Sequence, residues 1–399
     1  MKKLILPFLL TIVLGCAPQG LPEIPEVIQD LEHLIVYPAD AKPAKSVSFQ
    51  KDSVYGDSDE VIIGRIGNVA VDNLGRVFIA DVGNMVILAF DPDGRVANGL
   101  GRDGRGPGEF SGHFKIQICG EQLYAFEGWM NNKLSVYDLD HLALNKTISL
   151  ASNRRSFQAL QRAMPFIDEL YVKNDDTYLA RFIADEYEEV LKWKNFERKG
   201  LIYKLDVNGD VNSEKIIEYV HAIHTHFTIR NAIIGIHLNP LFGHVMTVLS
   251  SENHIYIAEP DHFLVKVYSP NGEYLQAFYY SIKKIPLFKP LSQESAIESG
   301  IPELLTNDIN SVDLPETWPV LTDLKIDDQD RLWIANTVED MTIFEWWVLE
   351  KTGELITRFE WPRDEPIEVV KNGFMYTRQT DEETGLQQVV RYRVEFEEV

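Results

Sequence analysis

The sequence predicts an all-β protein folded as a six-bladed β-propeller, because a strand pattern and its turns recur along the whole chain. Turns such as Asp91-Pro92-Asp93-Gly94 and Ser269-Pro270-Asn271-Gly272 separate the strand pairs. A unit of roughly 40 to 50 residues with several short strands is typical of a propeller blade. The repeated element is an apolar-aromatic-apolar triplet: Val77-Phe78-Ile79, Leu123-Tyr124-Ala125, Leu170-Tyr171-Val172, Ile255-Tyr256-Ile257 and Leu332-Trp333-Ile334, with Phe374-Met375-Tyr376 as a weaker sixth.

The last repeat is one strand short, which predicts how the ring closes. After Phe374-Met375-Tyr376 only the run 388–394 has strand character before the chain ends. Near the other end, Val47-Ser48-Phe49-Gln50 alternates like a strand before the first complete repeat. We therefore expect this N-terminal strand to complete the last blade. Closure of this kind removes an open sheet edge that would otherwise promote aggregation.

Composition limits the classes of partner. The 399 residues are 45% hydrophobic and 11% aromatic, enough for a large core, and the formal net charge is −23. Nucleic acid and anionic membrane surfaces both require a basic patch, so neither is expected as a partner. A cationic ligand or a metal ion stays open, beside the alternative that the acidic surface serves solubility. We expect a monomer that binds a protein or a small molecule.

The N-terminus has the pattern of a secretory signal. Met1-Lys2-Lys3 precedes an apolar run over 4–14 that is too short to cross a bilayer, which predicts a signal peptide over 1–15. Val13-Leu14-Gly15-Cys16 resembles a bacterial lipobox, and this resemblance implies acylation of Cys16 and anchoring by lipid. In such lipoprotein signals, an alanine after the cysteine, here Ala17, favours sorting to the outer membrane. Cys119 is then the one remaining cysteine, so no intrachain disulfide is expected.

The rest of the chain divides into a linker and one domain. Five prolines between residues 17 and 45 predict a flexible tether over 16–45, followed by the propeller over 46–399. Three insertions interrupt the repeat, near 185–198, 221–244 and 282–318. Long insertions in a radial array map to loops of one face, often the working face. We therefore expect the last two to act as a lid.

One glycine-rich run carries a family resemblance. Gly101-Arg102-Asp103-Gly104-Arg105-Gly106-Pro107-Gly108-Glu109-Phe110, with the strand and turn before it, resembles the NHL repeat and looks closest to bacterial envelope lipoproteins described as six-bladed propellers. The resemblance implies an NHL/TolB-like ring and a binding or interaction module, while the wider group includes enzymes. From the residues themselves, Phe110 should wedge between blades and Glu109 should accept backbone N–H bonds in the turn.

Residues just beyond the aromatic triplets should meet at one rim, because the loops after the second strands of the blades converge there. Carboxylate and amide oxygens suit Ca²⁺, which predicts a ligand-binding rim with a possible calcium site at Asp81, Glu127, Glu259 and Asn336. The alternative is that each acidic side chain caps its own turn. Further candidate ligand residues in the same loops are Asn84, Trp129 and His262.

Two observations are consistent with an enzymatic function, although no catalytic residue can be named. His221, His224 and His226 could bind zinc, but on a regular strand His221 would point away from the other two. Lactonase-like six-bladed propellers, which the chain resembles in blade number, bind their metal through Glu, Asn and Asp. We predict a lipid-anchored envelope propeller that binds a ligand or a protein. The alternative is a metal-dependent hydrolase or lyase of lactonase-like or NHL-lyase-like type.

Overall fold

The computed structural model describes residues 24–38, 40–56, 61–128, 131–151, 166–184, 195–229, 232–298, 301, 303–306 and 309–399. The predicted signal peptide, Cys16, Trp129 and most of the predicted insertion near 185–198 lie outside these ranges. Within them, no helix has the length and apolar character that a membrane crossing requires.

Six sheets of four or five strands follow one another along the chain. The N-terminal segment contributes α1 (Glu26–Gln29), β1 (Leu34–Tyr37) and β2 (Lys45–Tyr55). Blade 1 comprises β3 (Ile66–Val71), β4 (Val77–Asp81), β5 (Val86–Phe90) and β6 (Val96–Leu100). Blade 2 comprises β7 (Phe114–Cys119), β8 (Gln122–Glu127), β9 (Lys133–Asp138) and β10 (Ala143–Ser149). Blade 3 comprises β11 (Phe166–Val172), β12 (Tyr178–Ala184), β13 (Asn195–Leu205), β14 (Ile217–Ile229) and β15 (Ala232–Ile236).

The second half of the ring continues this pattern after α2 (Asn239–Phe242). Blade 4 comprises β16 (Met246–Leu249), β17 (Ile255–Glu259), β18 (Phe263–Tyr268) and β19 (Tyr274–Tyr280). The helix α3 (Gln293–Glu298) and two 3₁₀ turns (Glu303–Leu305 and Ile309–Ser311) follow. Blade 5 comprises β20 (Leu321–Ile326), β21 (Leu332–Thr337), β22 (Ile343–Leu349) and β23 (Leu355–Pro362). Blade 6 comprises β24 (Ile367–Lys371), β25 (Phe374–Thr380) and β26 (Gln387–Glu398), completed by β2.

The first strands of the blades surround the centre of the ring. Contacts join β3 with β7, β7 with β11, β16 with β20, β20 with β24, and β24 back to β3. Because the strands within each blade are antiparallel, every second and fourth strand ends at the same face. The connections from one blade to the next also lie there, and we call it the connection face. The six-bladed all-β prediction is confirmed.

The ring closes as predicted, through an N-terminal strand in the last blade. β2 pairs antiparallel with β26 from Lys45↔Glu398 to Tyr55↔Val389. Tyr55 at its end is fully buried, and its ring lies 5.9 Å from that of Phe90 in blade 1. The closing strand therefore joins the last blade by backbone hydrogen bonds and the first blade by apolar packing.

The predicted tether over 16–45 is wrong for the residues from 24 onward. The run 34–37 reads Leu-Ile-Val-Tyr, which favours a strand, and it pairs parallel with β19 as a fifth strand of blade 4. Tyr37 stacks on Tyr280 at 4.9 Å between ring centroids, and Ile28 of α1 is 2% exposed. The segment bears prolines but also enough apolar surface to dock, and burial of that surface outweighs the cost of ordering it.

The glycine-rich run 101–110 packs between blades 1 and 2 as the sequence predicts. Phe110 is fully buried and stacks on Phe114 of the next blade at 3.9 Å. The Glu109 carboxylate accepts the Gly106 N–H at 2.8 Å, which fixes the turn. Gly101 has φ +78° and a Cβ there would lie 2.3 Å from the Phe110 ring, so glycine is required at that position.

The sequence suggested that the region 221–244 connects two blades, but in the structure it does not. It forms the end of β14, the strand β15 and the helix α2, so blade 3 has five strands. Its apolar residues pack against the segment 282–318 in a separate core. That core contains Leu238, Leu241 and Phe242 from one side and Leu287, Leu291 and Leu305 from the other. We call this joint structure the cap. It lies on the connection face because both parts follow fourth strands.

Candidate functional site

The acidic rim residues of blades 1 and 2 are held within their own loops. Asp81 is fully buried and Glu127 is 1% exposed. Asp81 accepts the backbone N–H groups of Gly64 and Arg65 at 2.9 and 3.0 Å, among other bonds. Glu127 pairs with Lys133 at 2.6 Å and accepts the Ser111 N–H. Their oxygens face protein donors, which is the turn-capping alternative of the sequence analysis.

The other rim residues lie in different surroundings. Asn84 donates to Asp81 at 2.8 Å, so it belongs to the same turn. Glu259 forms an ion pair with Lys266 on the neighbouring strand. Burial lowers the pKa of His262, and Lys284 acts in the same direction from 3.3 Å. In the described part of the chain, no three His, Cys, Asp or Glu side chains come together in a way that could hold a metal ion. The structure therefore does not bring the four predicted calcium ligands together.

Asn336 is the rim residue with unused hydrogen-bonding capacity. It lies on β21 and is 1% exposed, and neither its Oδ1 nor its Nδ2 has a hydrogen-bond partner among the residues that the structure describes. It lines a cleft of about 460 Å³ between the cap and blade 5. Asn336 contributes to the wall of the cleft from the end of β21, while Ile282 and Ile285 contribute from the cap. This volume is within the usual range for small-ligand sites.

The wall of the cleft combines charged and apolar groups. Trp347 is 2% exposed, and its indole N–H donates to Glu345 at 2.7 Å. The remaining lining residues come from the cap, from the loop after β21, and from β22 and β23 of blade 5: Lys283, Thr337, Val338, Glu339, Asp340, Ile343, Arg358 and Glu360. A carboxamide surrounded by carboxylates and an indole suits an organic ligand with polar groups better than a bare hydrocarbon.

A second cleft, of about 210 Å³, lies between blades 2 and 3. Its lining includes Lys115 of β7 and Asp168 of β11. Burial lowers the pKa of His113 in its wall, and Lys115 adds to this effect. Lys115 also forms an ion pair with Glu169, so the charges in this cleft are balanced by protein partners.

Behind this cleft, a chain of imidazoles runs from the cap to the centre of the ring. Ring centroids are 5.2 Å apart for His224 and His237, 6.3 Å for His237 and His244, and 5.8 Å for His244 and His221. His221 Nε2 then lies 3.9 Å from Asp168 Oδ2, which accepts from the Arg181 guanidinium. Sequence reasoning placed His221 on the opposite side of the strand.

The physical reason for that error is a β-bulge. The pairing of β13 with β14 shifts between Arg198↔Ala222 and Lys199↔Val220, so His221 is the extra residue. A bulge changes which side the following residues face. It brings His221 into the ring contacts that lead to His224. The side chain of His226 lies outside the described ones.

His221, His237 and His244 are neutral at physiological pH. Burial lowers the pKa of His221 to about 2 and that of His244 to about 4, and Arg181 acts in the same direction on both. Burial alone would raise the pKa of Asp168, but the charge and hydrogen bonds of Arg181 hold it below its usual value. The proximity of Arg181 therefore makes this cluster unfavourable for additional positive charge.

Comparisons with known proteins agree with this fold. Residues 57–236 match the model of a family described as 6-bladed beta-propeller, DUF5128. No curated protein matches the sequence. A candidate exported protein from Bacteroides fragilis has a similar structure, with TM-score 0.50 and 11% identity over 91% of this chain and 99% of that one.

Two further solved structures have lower scores. A DUF4221 family member from Bacteroides vulgatus has TM-score 0.49 and 9% identity over 90% of this chain and all of its own. The calcium-binding protein regucalcin from Agrobacterium tumefaciens has TM-score 0.40 and 9% identity over 91% of this chain and 98% of its own. At such identities the likeness concerns the fold. The chain is a six-bladed β-propeller that resembles the DUF5128 family from residue 57 to residue 236.

Proposed function

We propose that this protein is a ligand-binding propeller of the bacterial cell envelope, and that its ligand occupies the cleft between the cap and blade 5. The observation that carries the proposal is the unpaired carboxamide of Asn336 at 1% exposure. An unsatisfied buried polar group costs about 1–3 kcal/mol. A hydrogen-bonding partner supplied by a ligand would remove this cost. The carboxamide would then form its hydrogen bonds only in the complex.

The cap supports this choice of site. Ile282 and Ile285 come from the segment that shares the cap core, so the cleft is bounded by the rigid blade 5 and by an insertion. Binding sites are commonly built from loops held on a rigid scaffold. We propose that the protein is a monomer and binds its ligand on the connection face. The net charge of −23 argues against a nucleic-acid partner.

The envelope location rests on the N-terminal pattern and has its own test. The lipobox-like Val13-Leu14-Gly15-Cys16 supports acylation of Cys16 and anchoring, which we place at the outer membrane. We expect labelled palmitate to enter the wild-type protein and not the Cys16→Ser variant, because the thiol is the acceptor. Equal labelling of the two proteins would refute the anchor and leave the cleft proposal standing.

A stability measurement tests whether Asn336 serves binding. We expect Asn336→Leu to raise the free energy of unfolding by about 1 kcal/mol, because it removes an unpaired polar group at similar volume. Equilibrium urea denaturation of the soluble domain measures this. The matched control is Asn84→Leu, which removes bonds to Asp81 and to the Ile62 carbonyl and should lose about 1–2 kcal/mol. A loss of stability for Asn336→Leu as large as the control's would mean that Asn336 is structural.

A further inference from the structure

The charges around the cleft are unequal. Its lining contains four carboxylates and two cations. Lys283 pairs with Glu339 at 2.7 Å, and Arg358 lies 4.0 Å from Glu345 with its guanidinium over the Trp347 ring. Each cation thus already has a carboxylate partner. The lining has a surplus of two negative charges.

The surplus belongs to Asp340 and Glu360. Asp340 accepts hydrogen bonds from the Thr342 N–H at 2.9 Å and hydroxyl at 2.6 Å, and these, with a smaller effect of Arg363, lower its pKa. Within the described ranges, neither carboxylate has a cationic partner within the 4.0 Å of an ion pair. Asp340 therefore remains ionised near neutral pH.

The hydrogen-bonding pattern of Asn336 restricts the ligand further. A carboxamide offers a donor and an acceptor side by side, and both are unused here. An extended peptide residue presents its own N–H and C=O along one edge, as in a hydrogen-bonded pair of an antiparallel ladder. Asn336 can pair with both groups of such a residue. A simple amine would leave the Asn336 donor without a partner.

The apolar part of the wall completes the pattern. Ile282, Ile285 and Ile343 line the cleft beside Trp347. Long cationic side chains place their methylene stems on apolar surface and their charged ends at polar groups. A lysine or arginine side chain would contact the isoleucines along its stem and reach the surplus carboxylates with its end.

We propose that the cleft binds a short extended peptide segment with a lysine or arginine side chain, in which one residue pairs with Asn336 and the cation meets Glu360 and Asp340. This inference rests on the proposed function. It adds the chemical class of the ligand and the residues that select it.

The test uses three capped tripeptides, acetyl-Ala-Lys-Ala-amide and its Gln and Glu equivalents, in calorimetric titrations of the soluble domain at low salt. We expect the Lys peptide to bind at least tenfold more tightly than the Gln peptide, and the Glu peptide to bind most weakly. Glu360→Gln should weaken the Lys peptide about fivefold and leave the Gln peptide unchanged. Glu395→Gln, an exposed change on β26, is the matched control and should alter neither.

The outcomes separate the two proposals. Equal binding of all three peptides, preference for the Glu peptide, or binding of none overturns the peptide inference. If no peptide binds but N-acetylglucosamine raises the melting temperature of the wild type and not of Asn336→Leu, the cleft still binds a ligand and the proposed function stands. If the Lys peptide binds Asn336→Leu as tightly as wild type, the assignment of the cleft is wrong as well.

Discussion

A chain that begins at residue 57 is expected to lose its cooperative fold, whereas a chain that begins at residue 41 should remain a closed ring of lower stability. The longer truncation removes all of β2, and with it the backbone ladder from Lys45↔Glu398 to Tyr55↔Val389. It also opens the contact between Tyr55 and Phe90 and exposes the edge of β26. Loss of one whole strand and of the junction between the last and first blades affects every neighbour in the ring.

Urea denaturation followed by far-ultraviolet circular dichroism and by tryptophan fluorescence measures both truncations against a chain that begins at residue 24. The shorter truncation removes Ile28 and the stacking of Tyr37 on Tyr280, so we expect a loss of about 2–4 kcal/mol with a single transition. A single transition of wild-type midpoint for the chain that begins at residue 57 would show that β2 does not close the ring.

The architecture was predictable because its signals are local. Triplets such as Val77-Phe78-Ile79 supply strand propensity and burial together, and turns such as Ser269-Pro270-Asn271-Gly272 occur where a positive φ is needed, as at Gly272. Because the last repeat is one strand short, an N-terminal strand could be predicted to complete it and close the ring. Each signal is contained in a few consecutive residues, and repetition makes the prediction reliable.

Features that depend on distant partners were not predictable. The strand β1 forms because the edge of β19 is available, and nothing in residues 34–37 specifies that partner. Bulges are equally hidden, since the pairing shift at β13 and β14 depends on both strands. The predicted tether over 16–45 therefore includes residues that form the added strand of blade 4. The predicted orientation of His221 likewise assumed a regular strand without the bulge.

The sequence predicts that these polar residues share one face of the ring, but it does not predict the role of each. Residues at the ends of the second strands lie at the connection face, and Asn336 is one of them. Which of these residues serves its own turn depends on the donors that approach it from elsewhere in the fold. Asp81 receives donors from the segment before β3, whereas Asn336 receives none within the described residues. The hydrogen-bond partners therefore decide the role.

Asp81→Ala is expected to lower the free energy of unfolding by about 3–5 kcal/mol. The side chain is fully buried and accepts five hydrogen bonds at 2.8–3.1 Å, so its loss leaves several donors without partners. The donors are the backbone N–H groups of Gly64, Arg65, Gly83 and Asn84 and the side-chain amide of Asn84. These donors join the entry to β3 with the turn between β4 and β5, so both would loosen together.

Glu259→Ala is the matched comparison, since Glu259 holds the equivalent place in blade 4 but is partly exposed and forms an ion pair with Lys266. Exposed ion pairs contribute about 0–1 kcal/mol, so we expect a loss within that range. The free energies of unfolding of both variants, from urea denaturation of the soluble domain, decide the matter. Asp81→Asn should lie between them, because an amide keeps one acceptor oxygen and no charge. Equally small losses for Asp81→Ala and Glu259→Ala would mean that the five bonds of Asp81 do not stabilise the blade, and the turn-capping role would have to be abandoned.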